Sequence, residues 1–147
     1  MTRKELKDEI KRSKGDPHVG AKRRELEKEL RQRSKSLSNV PDADLIITNP
    51  THYAIVLKYD RTTMIAPVVT GKGTGEMAQA IKQAAYRHNI PVIRSPLLAR
   101  SLYRKTKMES AISQEFYVGV AKVLRQAYET RRKQPHNYNH QINKKFS

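Results

Sequence analysis

Length, composition and charge exclude several classes of protein for this chain of 147 residues. It contains no cysteine, which excludes a disulfide framework and thiol chemistry. No apolar run approaches the roughly 20 residues that a membrane span requires. Thirty Lys and Arg residues against 14 Asp and Glu give a net charge of +16, which favours an anionic partner: nucleic acid, a membrane surface or an acidic protein.

Residues 1–40 are predicted to form a charged helical linker. Residues 3–35 contain 13 basic and 7 acidic side chains and few apolar ones, so a helix there could bury little surface. The Asp16-Pro17 pair interrupts the helical pattern. After a polar break at 34–39, a globular domain is predicted over 41–129.

The globular domain opens with three apolar, β-branched runs, which predict strands at 44–49, 53–60 and 65–70. The second run is apolar on both faces, as in a central strand. Pro67 has no N–H to donate to a neighbouring strand, so the third strand is expected either to lie at an edge or to start at Val68. The first two strands are expected to pair with each other.

Helix and strand signals alternate in the second half of the domain. The glycine-rich segment 71–75 is interpreted as a turn with Thr74 as N-cap, because its residue order does not match a nucleotide-binding phosphate loop. A helix, a short strand at 91–94 and two further helices after Ser95-Pro96 and Ser113 follow. These elements predict an α/β fold: a small mixed four-stranded sheet flanked by helices, with the third and fourth strands parallel.

Residues 130–147 are predicted to form a disordered basic tail. His136 and His140 have the spacing of two metal ligands on a helix, but Pro135 and the surrounding Asn residues oppose a helix there. No metal site is therefore predicted.

The polar break Asn49-Pro50-Thr51-His52, between the first two strands, is chemically unusual. In an Asn-Pro bond the following nitrogen has no N–H, so it cannot act as the nucleophile of ordinary deamidation. The Asn49 side-chain amide can instead attack its own carbonyl carbon, close a succinimide and expel Pro50 as a new amino terminus, provided that a turn holds it in an attacking geometry. Thr51 and His52 are candidates to polarise the carbonyl or to move protons. An ordinary polar turn is the alternative interpretation of the same residues.

Several short motifs occur in a distinctive order along the chain. The main ones are Asn49–Ala54 and Leu57–Asp60. Others are Lys7–Glu9, Gly15–His18, Arg23–Leu26, Ala66–Val69, Lys72-Gly73, Ile90–Val92 and Pro96–Tyr103. In this order and spacing they resemble the FlhB/YscU family, the export-switch proteins of flagellar and injectisome type III secretion.

The resemblance implies a cytoplasmic domain that cleaves itself once, between Asn49 and Pro50, and thereby changes which export substrates the secretion apparatus accepts. Such a protein performs one autocatalytic cut and is not a turnover enzyme. No cofactor is expected. The residues around the cleavage motif resemble the flagellar branch more closely, and an injectisome homologue is the alternative.

The resemblance also implies a location and partners. Family members carry transmembrane helices ahead of this region, so we expect the chain to be the cytoplasmic portion, at the cytoplasmic face of the bacterial inner membrane. Expected partners are other export-apparatus proteins, a substrate-length ruler protein and export substrates. Residues 3–35 could lie against acidic phospholipid head groups, and an apolar pocket beside the turn, using Ala66, Pro67 and Val68, is expected to receive a substrate segment.

A basic nucleic-acid-binding domain is the alternative from another class. Its support is the net charge alone. The basic residues are spread along the chain and aromatic residues make up only 6%, whereas nucleic-acid readers typically show clustered bases or stacking aromatics. A specific nucleic-acid partner is therefore not expected.

Overall fold

The computed structural model describes residues 17–50 and 52–132, and helix α1, Pro17–Ser38, is the first element within these ranges. The helix crosses a boundary between two units, the first ending at Gln32 and the second beginning at Arg33. In the first unit its side chains are exposed or half-buried, and Arg23 and Glu27 form an ion pair of 3.9 Å. Such a surface pair contributes little stability. The exposed side chains mean that this part of the helix buries little surface, and the linker predicted for residues 1–40 stays a prediction.

The last turn of α1 belongs to the second unit. Ser36 is fully buried, and its hydroxyl accepts a hydrogen bond of 3.1 Å from the Lys72 backbone N–H. Asn39 donates its side-chain amide to the Thr70 carbonyl at 2.8 Å. The predicted polar break at 34–39 is therefore wrong: the helix continues to Ser38, because its end is held by backbone groups of a distant strand.

One mixed sheet organises the second unit. Its strands are β1 (Leu45–Asn49), β2 (Tyr53–Lys58), β3 (Val68–Thr74), β4 (Val92–Arg94) and β5 (Ser110–Ala111), in the spatial order β4-β1-β2-β3-β5. Strand β1 pairs antiparallel with β2 and parallel with β4, and β3 pairs antiparallel with β2 and β5. The mixed α/β fold, the pairing of β1 with β2 and the common direction of β3 and β4 are thus confirmed. The strand count of four is one too low, because the two residues of β5 are too few to show an alternating pattern.

The predicted glycine-rich turn at 71–75 is wrong, because its first four residues lie inside β3. The predicted N-cap is confirmed, since the next helix begins at Gly75 with Thr74 at the N-cap position. A Cβ added at Gly71 would come within 2.7 Å of the Ser36 Cα, and one at Gly73 within 2.5 Å of the Met77 Cγ. The glycines therefore let helices approach the sheet closely. The third strand does begin at Val68, which is one of the two positions expected from Pro67.

Three further helices flank the sheet: α2 (Gly75–Arg87), α3 (Pro96–Lys105) and α4 (Tyr117–Arg132), with short 3₁₀ turns at Val40–Asp42 and Gln114–Phe116. Helix α2 covers one sheet face, and its core comprises Val40, Ala43, Ile46, Ala54, Val56, Ala78, Ile81, Ala84, Ala85 and Ile90. The opposite core contains Leu45, Ile47, Ile55, Leu57, Leu102, Phe116 and Val120 among others. Strand β2 is therefore buried on both faces, as predicted for a central strand, and so is β1.

Helix α4 continues three residues beyond the predicted end of the globular domain. Arg131 is only 4% exposed, and its Nη2 donates to the carbonyls of Ala43 at 3.1 Å and Asp44 at 2.9 Å. Thr130 to Arg132 look like the start of a basic tail in the sequence, but the guanidinium of Arg131 has partners 87 and 88 residues away. The rest of the predicted tail, including His136 and His140, lies outside the described residues.

Candidate self-cleavage site

The turn between β1 and β2 is closed by a hydrogen bond to the carbonyl of Asn49. The His52 backbone N–H donates to the Asn49 carbonyl oxygen at 3.0 Å. Asn49 is the last residue of β1 and lies opposite Tyr53, the first residue of β2. Asn at the first position of a β-turn and Pro at the second are both favoured by intrinsic turn geometry. The carbonyl that a succinimide reaction would attack is therefore already polarised by an N–H.

Two side chains from α2 bind the other side of the Asn49–Pro50 bond. Lys82 Nζ donates to the Pro50 carbonyl at 3.2 Å, and Gln79 Nε2 donates to the same oxygen at 3.3 Å. They are one helical turn apart on α2, so both reach the same oxygen. Sequence reasoning missed both residues, because nothing in the sequence links α2 to a turn about 30 residues earlier.

Backbone hydrogen bonds fix the residues on either side of the turn. The Thr48 carbonyl accepts the Ser95 N–H at 2.9 Å, and the His52 carbonyl accepts the Gly75 N–H at 3.3 Å. The turn is thus held by the starts of both α2 and α3. The His52 side chain is exposed, and Thr51 lies outside the described residues.

An aromatic pair lies behind the turn. The rings of Tyr53 and Tyr103 have centroids 5.0 Å apart, and Lys72 Nζ lies 4.8 Å from the Tyr103 centroid. The same ammonium donates to the carbonyls of Tyr103 and Thr106, both at 2.9 Å, at the end of α3. Burial lowers the pKa of Lys72 from its ordinary value. These contacts brace the strand position opposite Asn49.

The other predicted contact residues are not beside the turn. Tyr53 pairs with Thr74 and Lys58 pairs with Val68, so Ala66, Pro67 and Val68 lie at the far end of β2, about 17 Å along the strand. Ala66 is also buried in the core at 6% exposure. The expected pocket beside the turn is therefore wrong in its placement, because β3 begins at the end of β2 that is far from the turn.

Two kinds of feature are absent from the described residues. Within 17–50 and 52–132, no three His, Cys, Asp or Glu side chains are grouped so that they could hold a metal ion. No helix in the same ranges combines the length and apolar character needed to cross a lipid bilayer.

Comparisons with known proteins identify the family. A model described as the FlhB HrpN YscU SpaS Family matches residues 1–127. The chain belongs to this family. Flagellar biosynthetic protein FlhB of Salmonella typhimurium is 41% identical over 132 residues, and that of Bacillus subtilis is 39% identical over 133 residues. Each match covers 90% of this chain but only 34% and 37% of the relative, so the chain spans about a third of the length of these relatives.

Solved structures of FlhB and EscU domains share this fold. The cytoplasmic domain of FlhB from Shewanella putrefaciens aligns with a TM-score of 0.67 and 34% identity, covering 71% of this chain and 81% of that one. The C-terminal domain of EscU with an asparagine replaced by alanine aligns with a TM-score of 0.60 and 34% identity, covering 62% of this chain and 91% of that one.

Proposed function

We propose that this FlhB-family chain cleaves itself once between Asn49 and Pro50, and that the cut changes which substrates a flagellar export apparatus accepts. The observation that carries the proposal is the hydrogen bond from the His52 N–H to the Asn49 carbonyl. The similarity to flagellar biosynthetic proteins supports the flagellar branch. The similar EscU structures include variants of an asparagine and of the proline directly after it, which are the same two residue types in the same order as Asn49 and Pro50.

The reaction requires no other reactant in its first step. Asn49 Nδ2 attacks the Asn49 carbonyl carbon and forms a five-membered ring, while the bond from that carbon to the Pro50 nitrogen breaks. The proton lost from Nδ2 is transferred to the Pro50 nitrogen, which leaves as a secondary amine. Water later opens the succinimide on the new carboxyl terminus. The His52 N–H stabilises the negative charge that develops on the Asn49 oxygen during the attack.

The residues around the turn act mainly by holding the two ends of the breaking bond in position. Strand β1 fixes the backbone of Asn49, while Lys82 and Gln79 hold the carbonyl of Pro50 on the leaving side. Fixing both ends of the breaking bond keeps the attacking amide close to its target, which is where much of the rate enhancement of an intramolecular reaction arises. The exposed His52 imidazole, and Thr51, are candidates for relaying the proton.

Location and partners extend the same proposal. We place the chain at the cytoplasmic face of the bacterial inner membrane, in contact with other export-apparatus proteins, a substrate-length ruler protein and export substrates. The exposed basic side chains of residues 17–32 suit a surface of acidic head groups.

Intact mass of the purified chain under denaturing conditions tests the cleavage. We expect two fragments, one ending at Asn49 and one beginning at Pro50, and a single chain for Asn49→Ala. Asn89→Ala is the matched control, because Asn89 is followed by Ile90 rather than by proline, and it should cleave like the parent. An uncut parent chain after long incubation of folded protein would refute the proposal.

A further inference from the structure

A groove between α3 and α4, here the α3–α4 groove, has a volume of about 470 Å³. Its apolar lining includes Leu97 and Leu98 from α3, and Phe116 and Val123 from the other wall. Leu97 is 79% exposed although it is a large apolar side chain. An exposed leucine on the rim of an apolar groove is typical of a surface that binds another molecule.

The charged side chains that line the groove are all basic. Arg94 and Lys122 line it, and none of the described residues in its lining is acidic. A segment that combines apolar side chains with Asp or Glu would therefore complement it in both respects. From Phe116 to Gln126 the groove follows eleven residues of chain. At 1.5 Å per residue they span roughly 15 Å, which is the length of about three turns of a partner helix.

Gly119 keeps the groove open. A Cβ at this position would lie 3.5 Å from Leu98 Cδ1, which is an ordinary contact. The fold therefore has room for a side chain at Gly119, which lies within helix α4, where glycine is unfavourable. A larger side chain here would extend into the groove without a clash at its first atom.

The C-terminal segment of the chain is a poor occupant of the α3–α4 groove. Residues 133–147 contain three Lys and no Asp or Glu, so they would be repelled by Arg94 and Lys122. A second copy carries the same net charge of +16, which also opposes self-association. We propose that the α3–α4 groove binds an acidic amphipathic helix of a partner protein. This inference goes beyond the proposed cleavage and does not depend on it.

Selection of peptides on the full chain tests the proposal. A display library of random peptides, about 15 residues long so that helices can form, should yield acidic sequences with apolar residues three and four positions apart. The affinity of a selected peptide, measured by fluorescence anisotropy, should fall about tenfold or more for Leu97→Glu and for Lys122→Glu. Gly119→Leu should also weaken binding, because its side chain would fill the groove.

Matched variants separate the groove from general effects. Val118→Glu is the control for Leu97→Glu, since Val118 is 71% exposed but does not line the groove. Arg125→Glu is the control for Lys122→Glu, because it makes the same charge change at an exposed position of the same helix outside the groove. Both controls should change affinity less than about twofold, and all variants should unfold at a similar temperature.

Several results would overturn the proposal. One is the enrichment of peptides that lack acidic residues or bind Leu97→Glu and Val118→Glu equally well. Another is a dimer in sedimentation experiments that Leu97→Glu dissociates, which would make a second copy the occupant. A third is groove-dependent binding to anionic phospholipid vesicles with no peptide enriched, which would make a membrane the occupant.

Discussion

Replacing Arg131 with methionine should destabilise the domain strongly. The guanidinium of Arg131 donates to the carbonyls of Ala43 and Asp44, and its Nη1 lies 3.9 Å from Asp44 Oδ1. Both side chains are almost fully buried, at 4% and 0% exposure. Methionine would fill much of the space, but it would leave a buried carboxylate without its cation and two carbonyls without their donor.

The expected loss follows from the charge left behind. Removing one partner of a buried ion pair costs about 3–5 kcal/mol, because the remaining charge is neither solvated nor paired. For a domain of this size a loss of 3 kcal/mol corresponds to roughly 12 °C or more in the unfolding temperature. Urea and thermal unfolding, measured in the Asn49→Ala background so that the chain stays in one piece, give both quantities.

A double variant tests whether the unpaired buried charge causes the loss of stability. Asp44→Asn removes the charge but keeps an oxygen that can accept the Tyr59 N–H, now bonded to Asp44 Oδ2 at 2.7 Å. Arg131→Met combined with Asp44→Asn should therefore cost clearly less than the two single losses added together. Arg132→Met, at the exposed neighbouring position, should change stability by less than about 0.5 kcal/mol. A loss below about 1 kcal/mol for Arg131→Met would refute the reasoning from buried charge.

Three further variants test the site and the packing around it. Lys82→Ala should slow cleavage about tenfold with little change in stability, because it removes a hydrogen-bond donor to the carbonyl of the leaving proline. Arg87→Ala, on the same helix, should leave the cleavage rate unchanged. Time-resolved mass spectrometry measures both rates, and equal rates would remove Lys82 from the mechanism. Ala66→Asp should unfold the domain by burying a charge, while Ile65→Asp, at a fully exposed position, should be neutral by thermal unfolding. Gly71→Ala should lower the free energy of unfolding, measured in urea, by about 1–3 kcal/mol, because the added Cβ would lie 2.7 Å from the backbone of α1. An unchanged free energy would show that α1 can move away.

The sequence predicted those parts of the fold that depend on local pattern. The strands β1 and β2 have β-branched, apolar residues on both faces, and the Asn49-Pro50 pair between them has the chemistry of a turn. Helix α3 begins at Pro96, directly after the predicted cap at Ser95. In each case the residues that specify the structure are neighbours along the chain, so their spacing carries the information.

Most of the errors share a physical origin, which is contact between residues far apart in the sequence. Gly71 and Gly73 have the composition of a turn, but they lie in a strand because helices pack on them. Ser36 looks like part of a polar linker, but it is buried against β3. Arg131 looks like part of a basic tail, and Lys82 like a surface lysine of α2. A single sequence does not show which distant backbone group a polar side chain will meet.

The two fragments should stay together after the proposed cut, because β1 is paired along both of its edges and buried on both of its faces. It pairs with β2 and β4, and Leu45, Ile46 and Ile47 are fully buried, which is worth roughly 5–9 kcal/mol of burial. Arg131 adds its hydrogen bonds just ahead of the strand. We therefore expect both fragments to elute as one particle in size-exclusion chromatography and to separate only in denaturant, at a lower concentration for Arg131→Met. Separation of the parent fragments in native buffer would contradict this. If they stay together, the proposed change in export substrates would arise at the opened turn, where the cut frees the Pro50 amine.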